Sequence, residues 1–256
     1  MIPLPPGLLT RPIAHRGYHD RTAGVIENSR AALRAALAAG YGAEIDVQLS
    51  ADGQAMVFHD YDLKRLTGQP GAVRQRSAAD LGAMPLTDGG ETIPTLDEVL
   101  TLVAGRLPLL IEVKDQDGAL GPDVGPLEQA VARALEGYGG DVALMSFNPH
   151  SVAALARLAP LRPRGLVTCD FAAEDWQLVP EARRAELRDI PDFDATGASF
   201  ISHDADDLDA APVARLKSHG VPILCWTIRS AGDEARARRV ADNVTFEGYA
   251  AELPGA

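Results

Sequence analysis

Ile13-Ala14-His15-Arg16-Gly17 is an apolar strand-like run that ends in two polar residues and a glycine, and the rest of the chain repeats its layout. Strand-like runs at 12–15, 43–47, 108–113, 141–147, 164–169, 198–202, 221–228 and 243–247 alternate with helix-like runs at 28–39, 95–105, 124–137, 149–158, 174–188, 208–219 and 231–240. Helix starts are marked by Asn28, by the Thr95/Glu98 capping box, by Asn148-Pro149 and by Asp209; Gly40 and Gly220 read as stops. Eight strands separated by helices predict an α/β fold, a single (β/α)8 TIM barrel over residues 1–256. The alternative is a doubly wound open sheet, but no G-x-G-x-x-G follows the first strand.

The alternation breaks twice. After Asp46 the chain runs Val47-Gln48-Leu49-Ser50-Ala51-Asp52-Gly53-Gln54-Ala55-Met56-Val57-Phe58-His59. Asp52-Gly53 between two alternating runs predicts a hairpin. With those two residues at the turn centre, Ala51 faces Gln54 and Asp46 lies beside His59. Residues 61–94 are rich in Gly, Thr, Arg and Pro and weakly periodic. They read as a small insertion on the barrel rim that shapes access.

Composition narrows the function classes. A hydrophobic content of 46% supports a large core, and a net charge of −12 disfavours nucleic acid and anionic lipid as bulk partners. The two cysteines, Cys169 and Cys225, sit in apolar runs and read as buried thiols. Met1-Ile2-Pro3-Leu4-Pro5-Pro6 lacks a basic, apolar leader pattern, and no run approaches a membrane span. The expectation is a cytoplasmic protein without stable membrane insertion; its oligomeric state is not legible.

Residues i and i+2 of a strand share a face. Glu44 and Asp46 therefore project together, into the barrel if Ile45 faces the helices, and the same spacing joins Glu112 to Lys114. Glu44, Asp46 and Glu112 form an oxygen-only ligand set, which favours Mg²⁺ or Ca²⁺ over zinc. The bland alternative is a buried ion-pair network neutralised by Lys114 and Arg16. His15, ending the first strand, and His59, returned by the hairpin, would flank that site. Two imidazoles suit the base and the acid of phosphodiester cleavage. Arg16 offers a fork and Lys114 a point charge to phosphate oxygens. Glu27 would orient a histidine or the substrate, and Trp226 would stack on substrate or pack in the core. Asn28 reads as a helix cap; His19, His150, His203 and His219 read as surface or loop residues.

These motifs resemble the glycerophosphodiester phosphodiesterases. The resemblance rests on His15-Arg16-Gly17, Glu27-Asn28, Glu44-Ile45-Asp46-Val47, Asp52-Gly53, His59-Asp60, Ile93-Pro94-Thr95-Leu96 and Glu112-Val113-Lys114, and beyond residue 114 on Ser146-Phe147 and Trp226-Thr227. It implies a TIM barrel with an insertion after the second strand, Ca²⁺ or Mg²⁺ as the metal, and hydrolysis of a small-molecule glycerophosphodiester to glycerol 3-phosphate and an alcohol. It also implies Glu44, Asp46 and Glu112 as metal ligands, His15 and His59 as the acid–base pair, and Arg16 and Lys114 on the phosphate. Two segments depart from the family pattern: Ile26-Glu27-Asn28-Ser29 for Pro-Glu-Asn-Thr, and Thr245-Phe246-Glu247-Gly248-Tyr249 where Thr-Asp-x-Pro is usual. The rivals are a related barrel phospholipase D-type enzyme acting on lysophospholipid or sphingolipid, and a non-catalytic barrel that binds a phosphorylated ligand; a sugar-phosphate isomerase on the same fold would not need two histidines flanking three carboxylates. Because polar residues dominate 61–94, soluble headgroup diesters are the expected substrates.

Overall fold

A computed structural model describes residues 2–253; Met1 of the N-terminal run read above lies outside them. In chain order its elements are α1 (Pro6–Thr10), β1 (Ile13–Ala14), α2 (Arg30–Ala39), β2 (Gly42–Leu49), β3 (Ala55–Val57), α3 (Lys64–Thr67), α4 (Ala78–Gly82), α5 (Leu96–Val103), β4 (Leu109–Val113), α6 (Pro126–Ala134), β5 (Val142–Ser146), α7 (Pro149–Leu158), β6 (Arg164–Thr168), α8 (Glu181–Arg188), β7 (Phe200–Asp204), α9 (Ala211–Ser218), β8 (Ile223–Ile228), α10 (Ala231–Ala237) and β9 (Asn243–Phe246). All of these strands but β3 pair in parallel, in the order β1-β9-β8-β7-β6-β5-β4-β2. Ile13 pairing with Gly42 closes the ring. The result is the expected TIM barrel.

Alternation along the strands sorts the side chains. Ala14, Ala43, Ile45, Val47, Leu109, Ile111 and Val113 face outward into the core shared with the helices. Ile13, Leu110, Ala143, Met145, Val167, Phe200 and Leu224 fill the interior. Gly165 has to be small, because a β-carbon there would lie 2.5 Å from the Phe200 ring. The interior is plugged below by α1, an element absent from the sequence reading. Leu4 and Leu8 join the inner cluster, and Asn243 Nδ2 donates to the carbonyls of Leu8 and Arg11 at 2.8 and 2.6 Å. Five residues are too few to show helical periodicity, so its signal was invisible.

Other departures have local causes. Helix 174–188 shrinks to α8, because Pro180 lacks an N–H and stands at the N-cap. Asp209 does not cap α9, whose N-cap is Ala210. The capping box of α5 and the Asn148 cap of α7 form as read. Residues 61–94 are not structureless: α3, α4 and their loops close Leu63, Leu66, Val73, Leu81, Leu86 and Ile93 over Met56 and Phe58 in a core of their own.

The hairpin is corrected by one residue. Val47 pairs Val57 and Leu49 pairs Ala55, so Ser50 and Gln54 close a three-residue loop, Ser50 N–H donating to Gln54 O at 2.9 Å. Gly53 takes the left-handed conformation there, φ 80°. Asp46 is therefore opposite Phe58, whose N–H donates to the Asp46 carbonyl at 3.0 Å, and not opposite His59. Strand β3 has ended by then, and the turn after Phe58 delivers His59 to the barrel mouth.

Candidate active site

The site is built from strand ends. Glu44 and Asp46 on β2 face inward, and the β2/β4 register sets Asp46 beside Glu112. Carboxylate oxygens of Glu44, Asp46 and Glu112 all lie within 4.8 Å of one another, and all three residues are buried. Two cations reach this cluster. Lys114 Nζ lies 2.7 Å from Glu112 and 3.4 Å from Asp46; Arg16 Nε lies 3.4 Å from Asp46. Burial opposes the Lys114 charge, but Glu112 and Asp46 outweigh it and hold the ammonium protonated. Burial likewise opposes ionisation of Asp46, yet Lys114, His59, Arg16 and the Asn28 amide keep it well below the usual carboxylate range. Glu44 is left over: burial and the charges of Asp46 and Glu112 push its carboxyl well above the usual range. Its Oε2 accepts from the Arg16 backbone N–H at 2.9 Å, while Oε1 has no hydrogen-bond partner among the described residues.

The turn after β1 aims Arg16. Its backbone is left-handed, φ 54°, a conformation an arginine adopts only where the surroundings enforce it. Gly17 follows because the chain passes so close to α2 that a β-carbon would lie 2.8 Å from Ala32 Cβ. A guanidinium N–H donates to Glu27 Oε1 at 2.7 Å. The buried Arg16 Nε, like Glu44 Oε1 and Thr245 Oγ1, finds no hydrogen-bond partner among the described residues. All three residues line one cavity of about 180 Å³, with His15, Asp46, His59, Glu112 and Lys114 among its other walls. Unsatisfied buried donors and acceptors around one small polar space are costly unless a ligand completes them. A donor, a hydroxyl and a carboxylate cluster there fit an anion held together with a hard cation.

Each histidine is held by a carboxylate. His15 Nδ1 lies 2.6 Å from Glu247 Oε2, and His59 Nδ1 lies 2.7 Å from Asp60 Oδ1. With Nδ1–H donated to an ionised carboxylate, each ring keeps its Nε2 lone pair for the cavity. Burial pushes His15 below its ordinary pKa, which favours the neutral ring. Glu247 is held ionised by His15, then His19, with Arg229 2.9 Å from its other oxygen.

The structure thus brings His15, Arg16, Glu44, Asp46, His59, Glu112, Lys114 and Trp226 to one cavity. Glu27 stands one layer back, its carboxylate taken by Arg16 and by Arg65, whose bonds to it measure 2.8 and 2.9 Å. Arg65 also grips Asp60, so one side chain of the insertion ties the His59 partner to the Arg16 partner. Asn28 is not the cap. Ser29 caps α2, and Asn28, left-handed at φ 55°, donates Nδ2–H to Asp46 at 2.9 Å and accepts the Asp46 N–H at 3.2 Å. One other histidine reading changes: His203 is a core residue bonded to Thr168 and Asp207; His19 is in a loop as read, 3.6 Å from Glu247. His150 and His219 are exposed. Glu247 was missed although the i, i+2 rule that paired Glu44 with Asp46 also pairs it with Thr245; Arg65, in an aperiodic segment, gave no signal.

Comparison with known proteins bears on the family and the fold. The family model for the glycerophosphoryl diester phosphodiesterase family matches residues 15–244. The chain is 29% identical over 234 residues, 88% of each protein, to a glycerophosphodiester phosphodiesterase of Caldanaerobacter subterraneus subsp. tengcongensis. It is 30% identical over 171 residues, 63% of this chain and 68% of the relative, to another of Bacillus altitudinis. A phosphodiesterase of Oleispira antarctica, solved with its product sn-glycerol-3-phosphate, shares the fold with a TM-score of 0.75 at 24% identity, over 93% of this chain and 92% of that one. With a match running from the first catalytic candidate to the last barrel strand, the chain belongs to the glycerophosphoryl diester phosphodiesterase family.

Proposed function

We propose that this phosphoric diester hydrolase cleaves glycerophosphodiesters to glycerol 3-phosphate and an alcohol at the cavity bounded by His15, His59 and the three acids. The observation that carries this reading is the set of unsatisfied buried atoms, Arg16 Nε, Glu44 Oε1 and Thr245 Oγ1, around a space lined by both histidines. Glu44, Asp46 and Glu112 would hold a divalent cation, Mg²⁺ or Ca²⁺. When bound, such an ion withdraws charge from the phosphate oxygens. Arg16 and Lys114 add fixed positive charge beside the non-bridging oxygens and stabilise what develops in the transition state. One imidazole takes the proton of the attacking water, or of the neighbouring glycerol hydroxyl, in which case a water must then open the cyclic phosphate to give glycerol 3-phosphate; the other protonates the departing alkoxide. Glu247 and Asp60 orient the rings, and Glu27 holds Arg16 in place. Two buried free thiols fit a reducing compartment such as the cytoplasm, and no helix among the described residues is long and apolar enough to cross a membrane.

The test is release of glycerol 3-phosphate from a panel of glycerophosphodiesters, with EDTA and after returning Mg²⁺ or Ca²⁺. Activity should vanish on chelation and return with the ion. His15→Ala and His59→Ala should each lose about 10²–10⁴ in rate. Full turnover in EDTA, or wild-type rates in both variants, would refute the assignment.

A further inference from the structure

We propose that the groove beside the catalytic cavity holds an apolar chain, so that the preferred substrate is a single-chain amphiphilic phosphodiester; this rests on the phosphodiesterase reading above. The groove encloses about 1110 Å³, above the ~300–1,000 Å³ usual for a drug-sized ligand. The catalytic cavity holds about 180 Å³. The two are continuous, sharing His59, Glu112, Lys114, Phe147 and Trp226 as walls. A chain attached to the phosphodiester would leave the phosphate site along that shared wall.

The lining suits an apolar occupant. Phe147 contacts Trp176 with ring centroids 4.8 Å apart and Trp226 at 5.6 Å, and Leu120, Leu178 and Val179 extend the surface. Among the described residues Tyr61, Leu158, Leu161 and Leu178 are the large exposed hydrophobics, and two of them, Tyr61 and Leu178, edge this groove. Leu178 is 81% exposed. Leu161 is as exposed away from the groove, so the signal is not one leucine. It is the contiguous apolar surface that Leu178 and Tyr61 make with the aromatic layer, opening onto the phosphate site, a surface that a chain would cover. The apolar segment, 174–179, lies after β6 and faces the insertion, whose Tyr61, Asp62, Lys64 and Arg65 form the opposite, more polar wall of the groove. A small cationic headgroup could also sit among aromatic rings, but it would leave most of the volume and the outlying Leu178 unused.

The chain can hang from either alcohol, and the experiment separates the two. One arm compares glycerophosphocholine with 1-acyl glycerophosphocholines of increasing acyl length, below their micelle concentrations. The other compares alkyl esters of glycerol phosphate of increasing length. In one arm kcat/KM should climb with length, by at least tenfold over four methylenes, since one buried methylene is worth up to about fourfold. In Leu178→Asp the ratio of long-chain to chain-free kcat/KM should fall toward one. Binding is read independently of turnover and of that variant. The chain's two tryptophans, Trp176 and Trp226, both line the groove, so in EDTA the wild-type fluorescence should respond saturably to 1-acyl glycerophosphocholine and not to glycerophosphocholine. Hydrolysis of glycerophosphocholine with flat length dependence in both arms and no fluorescence response overturns the groove inference alone. Absence of hydrolysis across every substrate overturns the underlying phosphodiesterase reading.

Discussion

Replacing Glu44 by glutamine should have opposite consequences with and without divalent cation. The cluster holds three carboxylates within 4.8 Å against two cations, Lys114 and Arg16, which lie against Glu112 and Asp46. Two unit charges at this separation repel by about 3–4 kcal/mol at an effective dielectric of about 20. Glu44 forms no ion pair with either cation, and although the Arg16 charge and backbone N–H pull the other way, burial and the charges of Asp46 and Glu112 push its carboxyl well above the usual range. A glutamine keeps the acceptor for the Arg16 N–H and places an amide donor where Oε1 now has no partner. In EDTA, then, Glu44→Gln should match or exceed wild-type stability, unlike the usual loss of about 3–5 kcal/mol when a buried pair is broken. With cation at about 100 times its dissociation constant, the wild type should gain about 2.7 kcal/mol. For a chain of this size that is a rise in Tm of roughly 5–10 °C, and the variant should lose most of it. Differential scanning fluorimetry in EDTA, Mg²⁺ and Ca²⁺ reads both halves. A variant several degrees less stable than wild type in EDTA, or one that keeps the full cation-dependent rise, would sink the argument that Glu44 waits for an ion.

Three further outcomes are expected. Asn28→Ala loses two bonds to buried Asp46 and places alanine in the left-handed region. Urea denaturation should show a loss of about 2–4 kcal/mol, of which Asn28→Gly recovers about 1 kcal/mol, the backbone share. Glu247→Ala frees the His15 ring; kcat should drop about 10²-fold with KM nearly constant, and Glu247→Asp should restore part of it, so an unchanged kcat would remove Glu247 from the mechanism. Glu27 titrates at about 2, since Arg65 and Arg16 overcome the effect of burial. A lowered carboxylate pKa stabilises the fold above the unfolded value near 4.5 and loses that stability as pH falls toward 2. Arg65→Met should therefore move acid unfolding to higher pH, with a loss on the order of 2 kcal/mol at neutral pH after allowance for the partial exposure of Arg65; an unshifted acid transition monitored by circular dichroism would refute it.

How much of this was written legibly in the sequence depends on the range of the interaction. Strand periodicity needs only i and i+2, and it placed Glu44, Asp46 and Glu112 on the inner face, as β2 and β4 show. Turn chemistry located the hairpin but not its register, because Asp52-Gly53 serves a two-residue and a three-residue loop alike, and one residue moves the partner of Asp46 from His59 to Phe58. Asn28 and Ser29 are both good cap residues; the choice between them was made by Asp46, eighteen positions away, which sequence adjacency cannot reveal. The apolar wall at 174–179 was hidden for a similar reason. Trp176, Leu178 and Val179 read there as part of a helix, and only Pro180 and the packing on Phe147 turn them toward the site.

The insertion earns its place by what Arg65 holds. Each of four candidate site residues at the barrel mouth leans on a second one: His15 on Glu247, His59 on Asp60, Arg16 on Glu27 and Asp46 on Asn28. Three of these supports come from the barrel's own strand ends and first helix approach. His59 and Asp60 do not; they follow a three-residue strand that ends at Val57, and Gln48 on β2 fixes the His59 carbonyl at 2.9 Å but leaves the two side chains to each other and to Arg65. Arg65 bonds both oxygens of Asp60 and both of Glu27, and its own position is set by Leu63 and Leu66 in the core of the insertion. The geometry of His59 is therefore tied, through Arg65, to a small hydrophobic cluster outside the barrel and to the carboxylate that holds Arg16, the arginine proposed to bind the phosphate. Loosening that cluster should disturb acid–base chemistry and phosphate binding together, although none of its residues touches the substrate.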